Sequence, residues 1–242
     1  MRLHGCASQE KLKNANILVV GAGGLGCPVL QYLAVAGVGK ISIIEFDKVD
    51  ETNLARQVLY GSSDLGKLKS IIAKNRLELL NPLCNYSIIN LRLESSNAVK
   101  ILKNFDVIVD ATDNFEARYI INDACVILDK PMIHGAIYKY ESMISVFNYK
   151  GGPSYREFNP DFPGREIKNP TPDRVGFFGV LPGITGTYMA NEVIKIITGT
   201  GDVLSGKILH INIFKNTFNL FSLNKVKESS KINESRRSLV TA

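Results

Sequence analysis

Four glycines within six residues, Gly21-Ala22-Gly23-Gly24-Leu25-Gly26, restrict the folds open to this 242-residue chain more than any other part of it. They follow a short apolar run, Asn16–Val20, and precede an apolar stretch of helix formers, Val29–Ala36, which Gly37 closes. This order predicts a strand, a glycine turn and a helix. In such a turn the backbone N–H groups approach a phosphate at the helix N-terminus, where the helix dipole favours an anion. The cluster therefore predicts a nucleotide site.

Strand-like and helix-like segments alternate along the chain after this turn. The pattern predicts strands and helices in turn at Lys40–Glu45, Gly66–Leu80, Asn85–Asn90, Ser95–Asn104 (a helix with a serine cap) and Phe105–Asp110. Beyond Pro131 two strands, a helix and a terminal hairpin are expected at Met132–Gly135, Met143–Asn148, Ile184–Ile197, Ile208–Phe214 and Phe218–Leu223. We therefore predict an α/β fold with a Rossmann-like doubly wound sheet, parallel in the N-terminal part with an antiparallel C-terminal extension.

We predict one domain over residues 1–223, followed by a polar basic tail at residues 224–242. Hydrophobic residues make up 45% of the chain, which is enough for a full core. Half of the net charge of +6 lies in the tail, where five Lys and Arg residues meet two Glu residues (5 − 2 = +3). No basic run elsewhere is interleaved with aromatic residues, so we expect a flexible tail and no nucleic-acid partner.

Three features bear on membranes and compartment. The longest charge-free stretch, between Arg174 and Glu192, is broken by glycines and Pro182 and is shorter than the ~20 apolar residues of a membrane span. The opening residues lack the apolar core of a secretory signal. The cysteines lie far apart, which favours reduced thiols over disulfides, at Cys6, Cys27, Cys84 and Cys125. We therefore expect a cytoplasmic protein without a membrane-spanning helix.

Candidate nucleotide ligands follow the predicted strands. Glu45 ends the second strand, where an acid can bond a ribose hydroxyl. Asn53-Leu54-Ala55-Arg56-Gln57 comes next, and Lys69 begins the following helix, so two cations can converge on one crevice. The glycine turn alone fits a dinucleotide or a nucleoside triphosphate, but the roughly four negative charges of a triphosphate invite such cations and a metal ion. Ordinary surface cations are the alternative interpretation of Arg56 and Lys69.

A polar cluster, Asp110-Ala111-Thr112-Asp113-Asn114, ends the buried strand Phe105–Asp110 at the same predicted sheet edge. A carboxylate that faces phosphates repels them unless it holds Mg²⁺. We therefore interpret Asp113 as a metal-binding or phosphate-positioning residue and Asp110 as the more buried structural partner. A helix N-cap at Asp113 or Asn114 is the alternative, and the two roles are compatible.

Six motifs occur in order between about Lys11 and Leu223. They are the glycine turn with Cys27-Pro28, Ala36-Gly37-Val38-Gly39, Asn53–Gln57, Gly66-x-x-Lys69, Thr112-Asp113-Asn114 with Arg118, and Gly179-Val180-Leu181-Pro182-Gly183. Together they resemble the ThiF/MoeB/HesA family, the bacterial relatives of ubiquitin-activating enzymes. The resemblance implies ATP- and Mg²⁺-dependent adenylation of the C-terminal glycine carboxylate of a ubiquitin-like sulfur carrier of the ThiS or MoaD type, with release of pyrophosphate.

The resemblance also assigns roles to single residues and to partners. It implies nucleotide binding by Gly21, Gly23, Gly24 and Gly26, ribose binding by Glu45, phosphate binding by Asn53, Arg56, Gln57 and Lys69, and Mg²⁺ binding by Asp113. Arg56, Lys69 and Asp113 would be the catalytic residues, with Arg118 in support. The implied partners are a carrier ending in Gly-Gly and a second copy of the chain, because homodimers are the rule in the family.

Histidine is not required for this chemistry. A C-terminal carboxylate has a pKa near ~3.5 and is already ionised at neutral pH, so it attacks without a general base. The three histidines are isolated in the sequence, and we interpret His4, His134 and His210 as structural.

Three features of the family are missing. Many relatives carry two Cys-x-x-Cys pairs that bind zinc, but here the first position reads Ser154-Tyr155-Arg156-Glu157 and no cysteine follows Cys125, so we predict no zinc. The loop before Gly179 has no cysteine for a thioester or persulfide relay, and Cys27 is interpreted as a packed thiol. The opening MRLHGCASQEKLKN has no equivalent of the family's N-terminal arginine segment.

Three alternatives therefore stay open beside adenylation of a sulfur carrier. The missing arginine segment favours a truncated chain, or a weakened or non-catalytic homologue that binds nucleotide or carrier. Adenylation of another carboxylate, such as a peptide terminus, or of a modified tRNA base is the second, and NAD-dependent dehydrogenase chemistry is the third. The residues do not identify the carrier, and so they do not separate a thiamine pathway from a molybdenum cofactor pathway.

Overall fold

The computed structural model describes residues 6–160 and 178–223. Its centre is one eight-stranded sheet. The strands are β1 (Asn16–Val20), β2 (Lys40–Ile44), β3 (Asn85–Ile89), β4 (Val107–Asp110), β5 (Met132–Tyr138), β6 (Glu141–Phe147), β7 (Lys207–Asn212) and β8 (Thr217–Ser222). The α-helices are α1 (Cys6–Asn14), α2 (Gly26–Val35), α3 (Lys69–Leu80), α4 (Ser95–Leu102), α5 (Phe115–Leu128), α6 (Tyr155–Phe158) and α7 (Val180–Thr198). Short 3₁₀ helices lie at Glu51–Asn53 and Ser62–Asp64.

The strand order of the sheet is β3-β2-β1-β4-β5-β6-β7-β8. Strands β1 to β5 pair in parallel, and β6 to β8 are added antiparallel, which confirms the predicted fold. The chain proceeds outward from β1 to β3 and then returns to place β4 on the other side of β1. The loops that follow β1 and β4 therefore diverge, and ligands of open α/β sheets bind in the crevice left at such a point.

Helices cover both faces of the sheet because β1 and β4 are apolar on both sides. Ile17 and Val19 belong to a core cluster with residues of α2, α3 and α7. Leu18 and Val20 point to the opposite face and join a second cluster with residues of α4 and α5. Helix α7 packs on α2 as well as on β5 and β6, which brings its first turn to the glycine cluster.

Two helices begin at other residues than the sequence predicts. The helix expected from Val29 begins at Gly26, so the last glycine of the cluster already belongs to its first turn. The helix expected from Gly66 begins at Lys69, because Gly66 has a φ of +75° and Leu68 is extended.

One predicted cap is wrong, and the sequence pattern did not predict α1, α5 or α6. Ser95 is the first residue of α4, and the N-cap is Glu94, whose N–H donates to Asn97 Oδ1 at 3.0 Å. Helix α6 lies within the loop expected at Gly151–Val175, of which residues 151–160 are described.

Some expectations fall outside the described residues, namely those for His4, for the rest of that loop and for the basic tail at 224–242. Within the two described ranges, every helix is either too short or too polar to cross a lipid bilayer.

Candidate functional site

The glycine cluster forms a tight turn between β1 and α2. Gly21 has a φ of +96°, and a Cβ atom placed on it would lie 2.7 Å from the carbonyl oxygen of Ala111, just after β4. A Cβ atom on Gly26 would overlap the carbonyl oxygen of Gly21. Both positions therefore require glycine, one for its conformation and one for close approach. The turn places the N-terminus of α2 at the crevice between β1 and β4, which is suited to an anion.

Glu45 joins the end of β2 to this turn. Its side chain is buried, and Oε2 accepts a hydrogen bond from the Ala22 N–H at 2.9 Å. Oε1 accepts from the N–H groups of Phe46 and Asp47, each at 2.9 Å. A carboxylate has about four acceptor positions, so about one remains for a further donor such as a ribose hydroxyl. The structure thus brings Glu45 together with the glycine cluster and gives it a structural task that the sequence did not reveal.

The segment after the first 3₁₀ helix forms a connected polar group. Arg56 donates from Nη2 to Asn53 Oδ1 at 2.6 Å and from Nη1 to the Thr52 carbonyl oxygen at 2.8 Å. Gln57 donates from Nε2 to the same Asn53 oxygen at 3.1 Å. Because the guanidinium requires an oxygen at Asn53 Oδ1, these contacts also fix the orientation of the Gln57 amide.

Gln57 lies against the glycine cluster, with Nε2 3.6 Å from a Cβ atom placed on Gly23. Its side chain is 4% exposed, and Oε1 is buried without a hydrogen-bond partner in the part of the chain that the structure describes. This atom is a hydrogen-bond acceptor, and phosphate oxygens are acceptors too, so the two cannot bond to each other. The group that would satisfy Gln57 Oε1 is therefore a donor, and the predicted contact with phosphate would have to come from Nε2.

Lys69 is the first residue of α3 and is almost fully buried, with 5% exposure. Its Nζ lies 3.4 Å from Asp47 Oδ2, and its backbone N–H donates to the Asp47 carbonyl oxygen at 2.9 Å. Asp47 was not among the residues predicted for the site, although its position two residues after Glu45 was a usable signal. Asp50 lies near as well: hydrogen bonds from Thr52 hold its pKa below the usual value, and Lys69 and Arg56 contribute to the shift.

Asp113 stands apart from these groups. Asn114 is the N-cap of α5, because its Oδ1 accepts from the Ala117 N–H at 2.9 Å, so the N-cap interpretation applies to Asn114 and leaves the Asp113 carboxylate available. Asp113 is exposed and has no hydrogen bond or ion pair to any residue within 6–160 and 178–223. Its link to the turn is through the backbone, since Ala111 contacts Gly21.

A single carboxylate is compatible with Mg²⁺, which is held by one or two carboxylates together with substrate phosphates and water. Across the described ranges no group of three or more His, Cys, Asp or Glu side chains is placed to form a metal site of its own. An ion at Asp113 would therefore need oxygen ligands from the nucleotide.

Asp110 is fully buried, as predicted, and is the centre of a small polar network. His134 Nδ1 lies 2.7 Å from Asp110 Oδ2, and Asp110 Oδ1 accepts from the N–H and hydroxyl of Thr112 at 3.1 and 2.5 Å. Burial alone would raise the pKa of Asp110, but the hydrogen bond and the charges around it bring that pKa below its usual value. Burial lowers the pKa of His134 against the opposing effect of Asp110. Asp110 is therefore ionised at neutral pH, and His134 is neutral with its proton on Nδ1.

Cys27 is a packed thiol beside the turn, in agreement with the sequence interpretation. It is fully buried, its Sγ lies 3.5 Å from the Ala22 carbonyl oxygen, and burial raises its pKa to about 12. The hydroxyl of Tyr60 donates to the same oxygen at 2.7 Å. A protonated thiol in this position is a poor nucleophile, so both side chains serve to hold the turn.

The positions that carry the first cysteine pair in many relatives hold a helix cap here. Ser154 is the N-cap of α6: the Ser154 N–H donates to Glu157 at 2.6 Å, and the Glu157 N–H donates to Ser154 Oγ at 3.3 Å. Arg156 forms a bidentate pair with Asp123 of α5, at 2.6 and 2.7 Å. Tyr155 is buried, and its N–H donates to Asn122 Oδ1 of α5 at 2.8 Å. Packing thus orders the described start of this loop.

The first turn of α7 completes the crevice. A Cβ atom on Gly24 would lie 3.1 Å from Pro182 Cβ, so the Gly179–Gly183 motif contacts the glycine cluster directly. Next to it, Gly179 packs on the carbonyl oxygen of Ala55, in the segment that carries Arg56. The structure therefore brings together the glycine cluster, Glu45, Asn53–Gln57 and the α7 motif, and it places Lys69 beside Asp47. Asp113 is linked to the glycine cluster through the backbone of Ala111.

Known proteins resemble the chain in sequence and in structure. It is 48% identical over 215 residues to a probable molybdopterin-synthase adenylyltransferase of Porphyra purpurea, covering 89% of this chain and 56% of that protein. It is 44% identical to a sulfur carrier protein adenylyltransferase of Thermus thermophilus, covering 88% and 80%. A crystal structure of E. coli MccB with ATP superposes with a TM-score of 0.80 at 25% identity, over 94% of this chain and 69% of that one.

The chain thus spans little more than half of the Porphyra relative and most of the Thermus one. The model of the ThiF family matches residues 1–232, which include the glycine cluster, Asn53–Gln57, Asp113 and the α7 motif. On this evidence the chain belongs to the ThiF family.

Proposed function

We propose that the protein is an adenylyltransferase that uses ATP to activate the C-terminal glycine carboxylate of a ubiquitin-like sulfur carrier of the ThiS or MoaD type. The observation that carries the proposal is the crevice at the β1/β4 switch point, where the glycine turn is suited to an anion and the backbone of Arg56 lies against Gly24. The buried Lys69 lies beside Asp47, two residues after the Glu45 that bonds to the same turn. The names of the Thermus and Porphyra relatives support this activity.

In the proposed reaction a carboxylate oxygen of the carrier attacks the α-phosphorus of ATP, and the bond from that phosphorus to the bridging oxygen of the β-phosphate breaks. The products are an acyl adenylate and pyrophosphate. No general base is needed, because a terminal carboxylate with a pKa near ~3.5 is already ionised. Catalysis then depends on alignment of the two reactants and on positive charge that offsets the departing pyrophosphate.

The residues of the crevice have proposed tasks in this reaction. The glycine cluster presents backbone N–H groups to the phosphates, and Glu45 offers its remaining acceptor position to the ribose. Arg56 and Lys69 face the β- and γ-phosphates, together with the amide groups of Asn53 and Gln57. Asp113 would hold Mg²⁺, which when bound neutralises phosphate charge.

Further assignments belong to the same proposal. We propose one adenylating domain over residues 1–223 that works as a homodimer, with residues 224–242 as a flexible basic tail. The three described cysteines, Cys27, Cys84 and Cys125, are unbridged, which supports a reducing, cytoplasmic environment. The relatives' names favour molybdenum cofactor synthesis over a thiamine pathway.

ATP–pyrophosphate exchange with a panel of carriers tests the proposal. The purified chain is assayed with Mg²⁺ and carriers that end in Gly-Gly, beside the same carriers with an added C-terminal alanine and a short peptide with a free carboxylate. Exchange that needs the Gly-Gly end, and that Asp113→Asn abolishes, is the expected result. Glu116→Gln on the nearby surface is the matched control, since its partner Arg92 is also exposed.

The other outcomes are equally informative. Exchange with the peptide alone would replace the carrier by a peptide substrate. Carrier binding without exchange would favour a non-catalytic protein that binds the carrier.

A further inference from the structure

A chain of hydrogen bonds runs from the core to the residue before Asp113. His134 on β5 donates from Nδ1 to Asp110 Oδ2 at 2.7 Å, and Asp110 at the end of β4 accepts from both donors of Thr112. The two strands are paired so that Asp110 and His134 are direct neighbours in the parallel ladder. His134 and Asp110 are 1% and 0% exposed, so water does not replace these bonds.

Thr112 is held from a second side as well. Arg118 on α5 donates from Nη2 to the Thr112 carbonyl oxygen at 3.3 Å, and its guanidinium lies 5.2 Å from the centre of the Phe115 ring. Every polar group of Thr112 is therefore engaged: its N–H and hydroxyl by Asp110 and its carbonyl by Arg118. The backbone that leads into Asp113 is fixed on both sides.

The Asp113 side chain makes no contact of its own that could fix its direction. It is exposed, and within the described residues no hydrogen bond or ion pair restrains it. The region that its carboxylate can reach is therefore set by the backbone, which is held at Thr112 on one side and at the Asn114 cap of α5 on the other. A disturbance of Thr112 is transmitted to Asp113 directly.

His134 is the innermost member of this chain, and its surroundings fix its ring. The ring centres of Tyr155 and Phe147 lie 4.9 and 5.9 Å from that of His134. Without the Nδ1 donor, Asp110 Oδ2 would be a buried carboxylate oxygen that lacks its partner, which favours a rotated or protonated Asp110. Either change weakens Asp110 as the acceptor of the two hydrogen bonds that Thr112 donates.

We propose that His134 is a positioning residue for the nucleotide site: it orients Asp110, which holds Thr112 and thereby presents the Asp113 carboxylate to the metal–nucleotide complex. This inference rests on the proposed function, because it assumes that Asp113 meets Mg²⁺–ATP. It assigns a task in binding to a histidine that the sequence presented as an isolated core residue.

Three variants separate positioning from packing. His134→Phe keeps an aromatic ring beside Tyr155 but removes the donor. His134→Asn restores a donor, because the Asn side-chain nitrogen occupies nearly the position of Nδ1. Ser145→Ala is the matched control, since Ser145 is the direct neighbour of His134 on β6, is fully buried and donates to the Lys207 carbonyl oxygen at 2.8 Å.

Calorimetry measures the affinity of each folded variant for ATP with Mg²⁺ and for ATP with EDTA, and exchange kinetics are recorded beside it. We expect the gain in ATP affinity that Mg²⁺ brings to be about tenfold smaller in His134→Phe than in the wild type, while the affinity in EDTA stays unchanged. His134→Asn should recover most of that gain. KM for the Mg²⁺ complex should rise more than kcat falls. Ser145→Ala should keep the full gain.

A folded His134→Phe variant that keeps the full Mg²⁺-dependent gain overturns the inference and leaves His134 a core residue. If that variant does not fold, Thr112→Val tests the same link from its outer end and should lose the gain too. Carrier-dependent exchange by a wild-type chain without any Mg²⁺-dependent gain refutes the positioning role alone. A gain that depends on His134, without exchange on any carrier, refutes the proposed function alone.

Discussion

Lys69 offers a prediction in which stability and activity change in different directions. Replacement of Lys69 by methionine keeps the length and the apolar stem of the side chain and removes its charge. In the folded protein the Lys69 side chain is 6% exposed, and its ammonium lies 3.4 Å from the Asp47 carboxylate. Two unit charges at this distance attract each other by about 5 kcal/mol at an effective dielectric constant of about 20.

Most of that attraction does not stabilise the fold. The Asp47 side chain is 59% exposed, and ion pairs with such an exposed partner contribute about 1 kcal/mol or less. Against this stands the cost of removing an ammonium group from water, which is several kcal/mol for a buried ion. We therefore expect Lys69→Met to leave the free energy of unfolding unchanged or to raise it by about 1 kcal/mol, equivalent to about 2–4 °C in Tm.

The same substitution should be severe for catalysis. If Lys69 faces the pyrophosphate that leaves, its loss removes positive charge aimed at developing negative charge, an effect of about 10²–10³ in rate. Thermal unfolding and ATP–pyrophosphate exchange measure the two quantities in one preparation. Lys67→Met is the control, because the Lys67 side chain is 57% exposed and its ion pair with Asp64 is longer, at 3.9 Å. A Lys69→Met protein that is markedly less stable and still exchanges pyrophosphate at the wild-type rate would refute this reasoning.

Three further predictions follow from the same geometry. Glu45→Gln presents one acceptor oxygen where three backbone N–H groups now bond, so urea unfolding should show a loss of about 1–3 kcal/mol, and an unchanged midpoint would contradict the contacts described. Gly26→Ala forces a Cβ atom onto the Gly21 carbonyl oxygen and should abolish ATP binding in a calorimetric titration, whereas Gly61→Ala, whose Cβ atom would lie 3.9 Å from Asp64 Oδ2, should bind normally. On acidification from pH 7, the unfolded chain takes up a proton at His134 that the folded chain refuses, so the free energy of unfolding should fall below about pH 6.5 by up to about 1.4 kcal/mol per pH unit. Asp110, whose pKa is lowered, adds a further loss below about pH 4, and equilibrium unfolding at several pH values should show the first part flattened in His134→Asn.

The segments that meet at the crevice could be proposed from the sequence because each of them is local. Each segment has a recognisable pattern of only a few residues: the glycine cluster, the acid that ends the second strand, and Asn53–Gln57. The switch point of the sheet follows from the alternation of strands and helices. Helix α5 was not predicted, although Asn114 caps it, because the polar residue Asn122 interrupts the apolar pattern and yet is buried with its neighbours Ile121 and Cys125.

Contacts between distant residues could not be predicted. The pairing of Lys69 with Asp47 depends on the path of the loop between β2 and α3, which no local pattern in the sequence specifies. Asp110 and His134 meet only because β4 and β5 pair in one register, and a shift by one residue would turn one of them to the other face. Register is a property of the assembled sheet, and nothing near His134 in the sequence specifies it.

The contact between Pro182 and the glycine cluster has a consequence for how the protein is made. Ile17 of β1 pairs with Val107 of β4, and Gly24 meets a helix that begins at Val180, so the walls of the crevice come from the start, the middle and the last third of the chain. Most of the polypeptide must leave the ribosome before the nucleotide crevice is complete. Domains with such non-local strand pairing fold late and slowly. A nucleotide that binds as proposed therefore cannot act as an early template for folding. Because it binds only the complete crevice, it stabilises the whole fold at once.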